Sequence, residues 1–232
     1  MELLITMAIF SVITTVVLIN RQSFEGSVYL RNSAYDLALN IRDAQASGTL
    51  VRESLVSGQK KFSSQGINFL AGRQTYILFA ENYLVDENGG VSGTLGYDGR
   101  DFGGNCGTSE ECLKFNSLIL KASINKFCGV LSGVPSNDTN TDPSGNNTGK
   151  AEECSNGATG GGSQIQSLDI IFERPNPEPK IIGTYSNGLK NTGVNSVIPA
   201  RPYKSARIYL SDLGGSVMRV VEVWSTGQIQ VR

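Results

Sequence analysis

From Leu3 to Ile19 the chain reads LLITMAIFSVITTVVLI, 17 residues without a charge, bounded by Glu2 on one side and Asn20-Arg21 on the other. As a helix this run spans about 26 Å, the short end of what crosses a bilayer core. A secretory signal peptide would place basic residues before the apolar run and a small-x-small cleavage site after it. The run is preceded instead by the carboxylate of Glu2. A charge in an apolar phase is expensive unless it meets a cation, so Glu2 either finds a partner or sits solvated at a helix N-terminus, where the macrodipole favours it.

Beyond Arg21 polarity rises but helical spacing persists. Leu30, Ala34, Leu37, Ala38, Ile41 and Ala44 form one apolar stripe, while Asn32, Asp36, Asn40, Arg42 and Asp43 take the other faces. Ser47-Gly48 supplies the stop. The expectation is a single helix through residue 48, apolar all round over residues 1–24 and amphipathic over 25–48. The β-branched cluster Ile13-Thr14-Thr15-Val16-Val17, together with Gly26, lowers helix propensity, which predicts a kink or local unwinding between residues 13 and 26.

After Gly48 the period changes. Apolar or alternating runs at Leu50–Val56, Ile67–Leu70, Thr75–Ala80, Leu118–Ile124, Leu168–Phe172, Ile181–Tyr185, Ala206–Leu210, Val217–Trp224 and Ile229–Val231 read as short strands between turn clusters. Residues 49–232 are therefore a β-rich head, and the fold class expected is α+β, a long helix packed on a mostly antiparallel sheet. The C-terminal strands are expected to cover Leu37 and Ile41. Residues 132–165, rich in Ser, Asn, Asp, Thr, Pro and Gly, read as a long surface loop, with glycosylation sequons at Asn137 and Asn146.

The chemistry available to this chain is narrow. It contains no His, which removes the commonest general base and zinc ligand, and no nucleophile or cofactor motif stands out; an enzyme is not expected, nor a cofactor. With 20 Lys+Arg against 21 Asp+Glu, overall charge gives no reason to expect nucleic acid as a partner. Lys204, Arg207, Arg219 and Arg232, interleaved with Tyr203, Tyr209 and Trp224, are the basic and aromatic set to check. Gly145–Ala151 falls one residue short of a phosphate loop and lacks its hydroxyl. Asp86-Glu87-Asn88 and Asp98-Gly99-Arg100-Asp101 offer oxygen ligands but complete no EF-hand pattern. Cys106, Cys112, Cys128 and Cys154 form an even set with no Cys-x-x-Cys pair, which favours two disulfides over zinc. Three connectivities are open. Pairing Cys106 with Cys112 and Cys128 with Cys154 is favoured because the second bridge would close the long loop at its base.

The segment ELLITMAIFSVITTVVL resembles the N-terminal segment of type IV pilins and type II secretion pseudopilins. YDLALNIRDAQASG and the C-terminal ARIYLSDLGGSVMRVVEVWSTGQIQVR resemble, more weakly, the helix end and closing strands of the H-type minor pseudopilins. In that family the mature chain begins Phe-Thr-Leu before a hydrophobic residue and Glu-Leu-Leu, so the mature start is expected a few residues before Met1. The resemblance implies a structural subunit of a pilus or pseudopilus, held in the inner membrane and then exported into an extracellular filament. It implies N-terminal methylation, assembly through Glu2, Leu3, Leu4, Ile9 and Phe10, and pairing of Glu2 with the terminal amine of a neighbouring copy. The implied partners are further copies of the chain, other pilins and the inner-membrane assembly machinery. The alternative is a minor or tip subunit whose head binds DNA or a surface.

Overall fold

The computed structural model describes residues 2–50, 54–56, 59–61, 64–81, 84–85, 91–92, 96–97, 106, 112–118, 122–132, 152–155, 165–185, 190, 203–212, 215 and 217–232. Side chains are described in these stretches except at residues 2, 16–25, 54–56, 59–61, 84–85 and 91–92.

Helix α1 runs from Glu2 to Thr49, 48 residues without a break. The unwinding expected between residues 13 and 26 does not occur. The propensity deficit of a β-branched residue is only a few tenths of a kcal/mol, and the hydroxyls that could compete with the helix instead bond back to it. Thr14 Oγ1 donates to the Phe10 and Ser11 carbonyls at 2.9 and 3.0 Å, and Thr15 Oγ1 to that of Ser11 at 2.8 Å.

Among the described residues the strands are β1 (Ser54–Val56), β2 (Gln59–Lys61), β3 (Gln65–Leu70), β4 (Thr75–Ala80), β5 (Leu84–Val85), β6 (Val91–Ser92), β7 (Cys112–Ser117), β8 (Ala122–Leu131), β9 (Glu152–Cys154), β10 (Ile165–Glu173), β11 (Asn176–Tyr185), β12 (Tyr203–Asp212), β13 (Met218–Trp224) and β14 (Ile229–Val231). One five-stranded sheet has the order β11-β10-β3-β4-β7 and a second the order β14-β13-β12-β8-β9, with every neighbouring pair antiparallel. Two ribbons, β1-β2 and β5-β6, are not hydrogen-bonded into either sheet.

This arrangement corrects the expected class. The head is mostly β and is built from two antiparallel sheets, so an α+β pilin head with one sheet against the helix is not what forms. The reason lies in the continuous runs TYILFA and LDIIF, which put apolar side chains on both faces of the first sheet and so demand a layer on each. Ile67, Phe69, Tyr76, Leu168, Ile170 and Phe172 enter the main core, while Ile77, Phe79, Ile171 and Ile182 form a second cluster under Tyr97, Cys112 and Phe115. The second sheet alternates more strictly: Ala206, Ile208, Val221 and Val223 enter the main core, while Arg207 and Glu222 lie on the far face.

Helix α1 touches strands of both sheets, β3 and β10 in one and β12, β13 and β14 in the other. Its stripe of Leu30, Ala34, Leu37, Ala38, Ile41 and Ala44 is buried in the same core as both sheets' inner faces. The C-terminal strands are therefore only part of what covers Leu37 and Ile41. At the end of the helix a Cβ on Gly48 would lie 2.5 Å from the Phe172 carbonyl oxygen, so only glycine allows this close approach to β10.

Two further expectations need correction. Glu152–Cys154 is a strand inside what reads as an unbroken loop over 132–165; the rest of that loop beyond Ser132, up to Ile165, and both sequons lie outside the described residues apart from Ser155. The run expected over Leu118–Ile124 straddles the end of one strand and the start of the next, since β7 stops at Ser117 and β8 begins at Ala122.

Candidate assembly surface on the helix

Along the first turns of α1 the described apolar side chains stand in the open. Leu3 is 70% exposed, Leu4 71% and Phe10 67%, and Ile5, Met7, Ile9, Val12 and Ile13 are all more than half exposed. The three threonines offer little to solvent or a partner, because Thr6 Oγ1 donates to the Leu3 carbonyl at 2.9 Å and Thr14 and Thr15 are bonded as described above. The segment is in effect an apolar rod. An exposed contiguous apolar surface of this extent marks an interaction site.

The second half of the helix fixes that rod to the head. Leu30, Leu37 and Ile41 are fully buried, Asn40 Nδ2 donates to the Tyr76 hydroxyl at 2.9 Å, and Gln45 Nε2 donates to the carbonyls of Pro177 and Gly227 at 3.1 Å each. Its outward face remains partly apolar: Val28, Tyr35 and Leu39 are exposed, and the Arg31 guanidinium lies 5.7 Å from the Tyr35 ring centre. At about 100° per residue these three fall within roughly 40° of one another, and Leu3 and Phe10 share their direction on a regular helix. The exposed apolar side chains described on the two halves of the helix thus share a direction.

Of the assembly residues expected from the sequence, Leu3, Leu4, Ile9 and Phe10 lie in this surface, while the Glu2 side chain falls outside those described. The expected insertion in the inner membrane is overturned: among the described residues no helix is long and apolar enough to cross a membrane.

All four cysteines are in disulfides, Cys106 with Cys112 and Cys128 with Cys154. Cys128, Cys154 and Glu152 place their ligand atoms within 4.8 Å of one another, but the two sulfurs are bonded together and no thiolate remains to hold zinc. The acidic stretches at 86–88 and 98–101 and the Gly145–Ala151 stretch lie outside the described residues.

Two of the four cations in the basic and aromatic set near the C-terminus are engaged by carboxylates. Arg207 Nε donates to Glu222 Oε1 at 2.8 Å and its Nη1 meets Glu152, while Arg232 Nη2 lies 3.2 Å from Glu222 Oε2. Burial pulls the Arg207 guanidinium down, and the Glu222 hydrogen bond with the charge of Glu152 more than offsets it, leaving the net shift upward. Tyr203 is buried, and Lys126 sits 4.6 Å over the Tyr209 ring. Arg207 and Arg232 thus answer carboxylates on their own sheet.

Four buried acidic groups among the described residues escape a reading by sequence pattern, one of them Glu81, which accepts the Gly96 amide at 2.9 Å. Glu222 is fully buried and also accepts from Ser205 Oγ at 3.1 Å. Asp169, fully buried on the outer face of the first sheet, accepts from Asn68 Nδ2 at 2.6 Å. Glu153 on β9 accepts from the Tyr185 hydroxyl at 2.6 Å and from the Tyr203 hydroxyl, tying β11 of one sheet to β12 of the other. Burial, then the Glu153 charge, pushes the Tyr203 phenol far up; burial and the charge of Asp36 do the same to Tyr76. The only sequence signal for Glu153 is its place beside Cys154. Gly129 and Gly183, each of which would clash with the Tyr203 ring if given a Cβ, give no sign of their role in the sequence.

Fold and site together define a class: a disulfide-bonded, mostly β head carried on a long helix whose first turns are apolar and uncovered. Comparison with protein-family models, curated proteins and solved structures finds no match to this chain.

Proposed function

We propose that this chain is a structural subunit of a filament of the type IV pilus or pseudopilus kind, which assembles by packing the apolar half of α1 against the same segment of other copies. The observation that carries the reading is the exposed apolar surface from Leu3 to Ile13 on a helix whose other half is embedded in the head. Burying eight such side chains, at about 25 cal/mol per Å² of apolar area, contributes on the order of 10 kcal/mol per subunit before the losses of association. A rod offset from its head along one helix makes a contact that does not close on itself, and repeated contacts of that kind build an open filament. The partners are other copies of the chain, other subunits of the same filament and the machinery that assembles it. A tip subunit that binds DNA is the weaker reading, because Arg207 and Arg232 are engaged by Glu152 and Glu222.

The test is electron microscopy of filaments sheared from cells that make the protein, with the subunit and its N-terminus identified by mass spectrometry. Thin filaments containing this chain are expected, and Ile9→Asp and Phe10→Asp should abolish its incorporation while leaving the emission of its single tryptophan, Trp224, unchanged. Filaments that never contain the chain, or undiminished incorporation of both variants, would overturn the proposal.

A further inference from the structure

Strand β9 is only three residues long, yet every residue from Glu152 to Ser155 is fastened by its side chain. Cys154 is cross-linked to Cys128, its register partner on β8. Glu152 meets Arg207 of β12, and Glu153 takes the hydroxyls of Tyr185 and Tyr203. Ser155 donates its amide to the Phe127 carbonyl at 2.9 Å and accepts the Phe127 amide on Oγ at 3.1 Å. A strand with no apolar residue of its own is held at a sheet edge by these ties, and through Glu153 it joins the two sheets at their seam.

We propose that the Cys128–Cys154 disulfide is a redox-operated latch, whose reduction by a dithiol releases Glu152–Ser155 and opens the seam at Glu153 while both sheets stay folded. The bond is asymmetric in access: Cys128 is fully buried and Cys154 is half-buried at the edge. An incoming thiolate attacks Cys154 Sγ, the sulfur–sulfur bond breaks, and its electron pair leaves on Cys128 Sγ. The second thiolate of the dithiol then attacks the mixed disulfide and expels Cys154 as a thiolate. Two electrons pass from the dithiol, which departs as its own disulfide, and its two protons are left to solvent or to the freed cysteines.

Release follows because the cross-link spans 26 positions, and cutting it restores to the intervening chain the freedom that pairing had removed. The remaining ties require a buried carboxylate to stay in place against that gain. Cys106–Cys112, six positions apart with Cys112 on β7 of the other sheet, closes too short a loop to act in the same way.

The experiment uses the full chain carrying Cys106→Ser and Cys112→Ser, so that one disulfide remains, titrated with dithiothreitol and followed by cysteine alkylation and hydrogen exchange. On reduction, amides in 127–131 and 152–155 should exchange about tenfold faster or more, those of β3, β4 and β13 should be unchanged, and reoxidation should restore protection. Unchanged exchange in 152–155 would overturn the latch, and so would equal acceleration throughout both sheets, which would make the bond a support of the whole head. In the same background Glu153→Gln should lower the dithiothreitol concentration needed for half reduction by about tenfold, or 1.4 kcal/mol of coupling. An unshifted midpoint would break the proposed link between Glu153 and the disulfide.

Discussion

Leu37 and Leu39 are two positions apart on the same helix, yet Leu37 is fully buried between the sheets and Leu39 is 61% exposed. Truncating each to alanine removes the same atoms and changes helix propensity by the same small amount, so the difference between the variants isolates tertiary burial. Leu37→Ala loses the transfer free energy of the deleted methyl groups and leaves a cavity bounded by a helix and two sheets, which have little freedom to collapse. The expected loss is about 2–5 kcal/mol. Leu39→Ala should stay within about 0.5 kcal/mol. For a domain of this size the first corresponds to a fall in Tm of roughly 4–20 °C and the second to no more than about 2 °C. Urea unfolding of the full chain, followed by Trp224 emission and by circular dichroism, reads both. Equal losses, or a loss below about 1 kcal/mol at Leu37, would refute the view that the head-bearing half of α1 is part of the core. A third variant, Leu39→Glu, separates folding from assembly, because it should impair filament formation with the head intact.

Alkaline pH should unfold the head steeply. Tyr76 and Tyr203 are both raised from the ordinary 10.0, by burial first and by Asp36 and Glu153 next, so the folded chain keeps protons that the unfolded chain has lost. Their contribution is complete below about pH 10 and declines above it, by about 1.4 kcal/mol per pH unit for each tyrosine. Tyr209 is raised too, by burial first and the charge of Glu152 next, so unfolding titrations from pH 9 upward should show Tyr76→Phe reducing the slope by about a third, and an unaltered slope would contradict the assignment. On the far face of the second sheet, Arg207→Met should destabilise by about 1–3 kcal/mol, because the fully buried Glu222 loses its 2.8 Å partner and keeps only the half-exposed Arg232 and the Ser205 hydroxyl. Adding Glu222→Gln should recover a good part of that loss, and a double variant no better than the single one would show that the charge is not what matters.

How much of this was legible depends on the range of the interaction concerned. The stripe Leu30, Ala34, Leu37, Ala38, Ile41 and Ala44 is a local periodic signal, and all six residues are buried. The disulfide pairing was within reach of an argument about loop closure, and both bonds are those favoured. The strand cores over Ile67–Leu70, Thr75–Ala80, Leu168–Phe172 and Ala206–Leu210 follow from composition, and each lies within an observed strand. Strand β9 was missed because Glu-Glu-Cys contains no apolar run; a disulfide, an arginine from β12 and two tyrosines from different sheets hold it in place. The expected break in α1 failed because small propensity deficits are weak against a continuous hydrogen-bonded ladder.

By itself the sequence determined which segments are apolar, which face of the helix is apolar, and which chemistry is absent, since no histidine means no imidazole whatever the fold. Only the tertiary structure decided that the head has two sheets, that the helix is held by both, and that Arg207 and Arg232 turn towards carboxylates on their own sheet. Periodicity records whether a residue is to be buried, because that is a property of one segment in water. What it is buried against is settled by the pairing of segments far apart in the chain, such as Glu153 with Tyr185 and Tyr203, and no single segment encodes that.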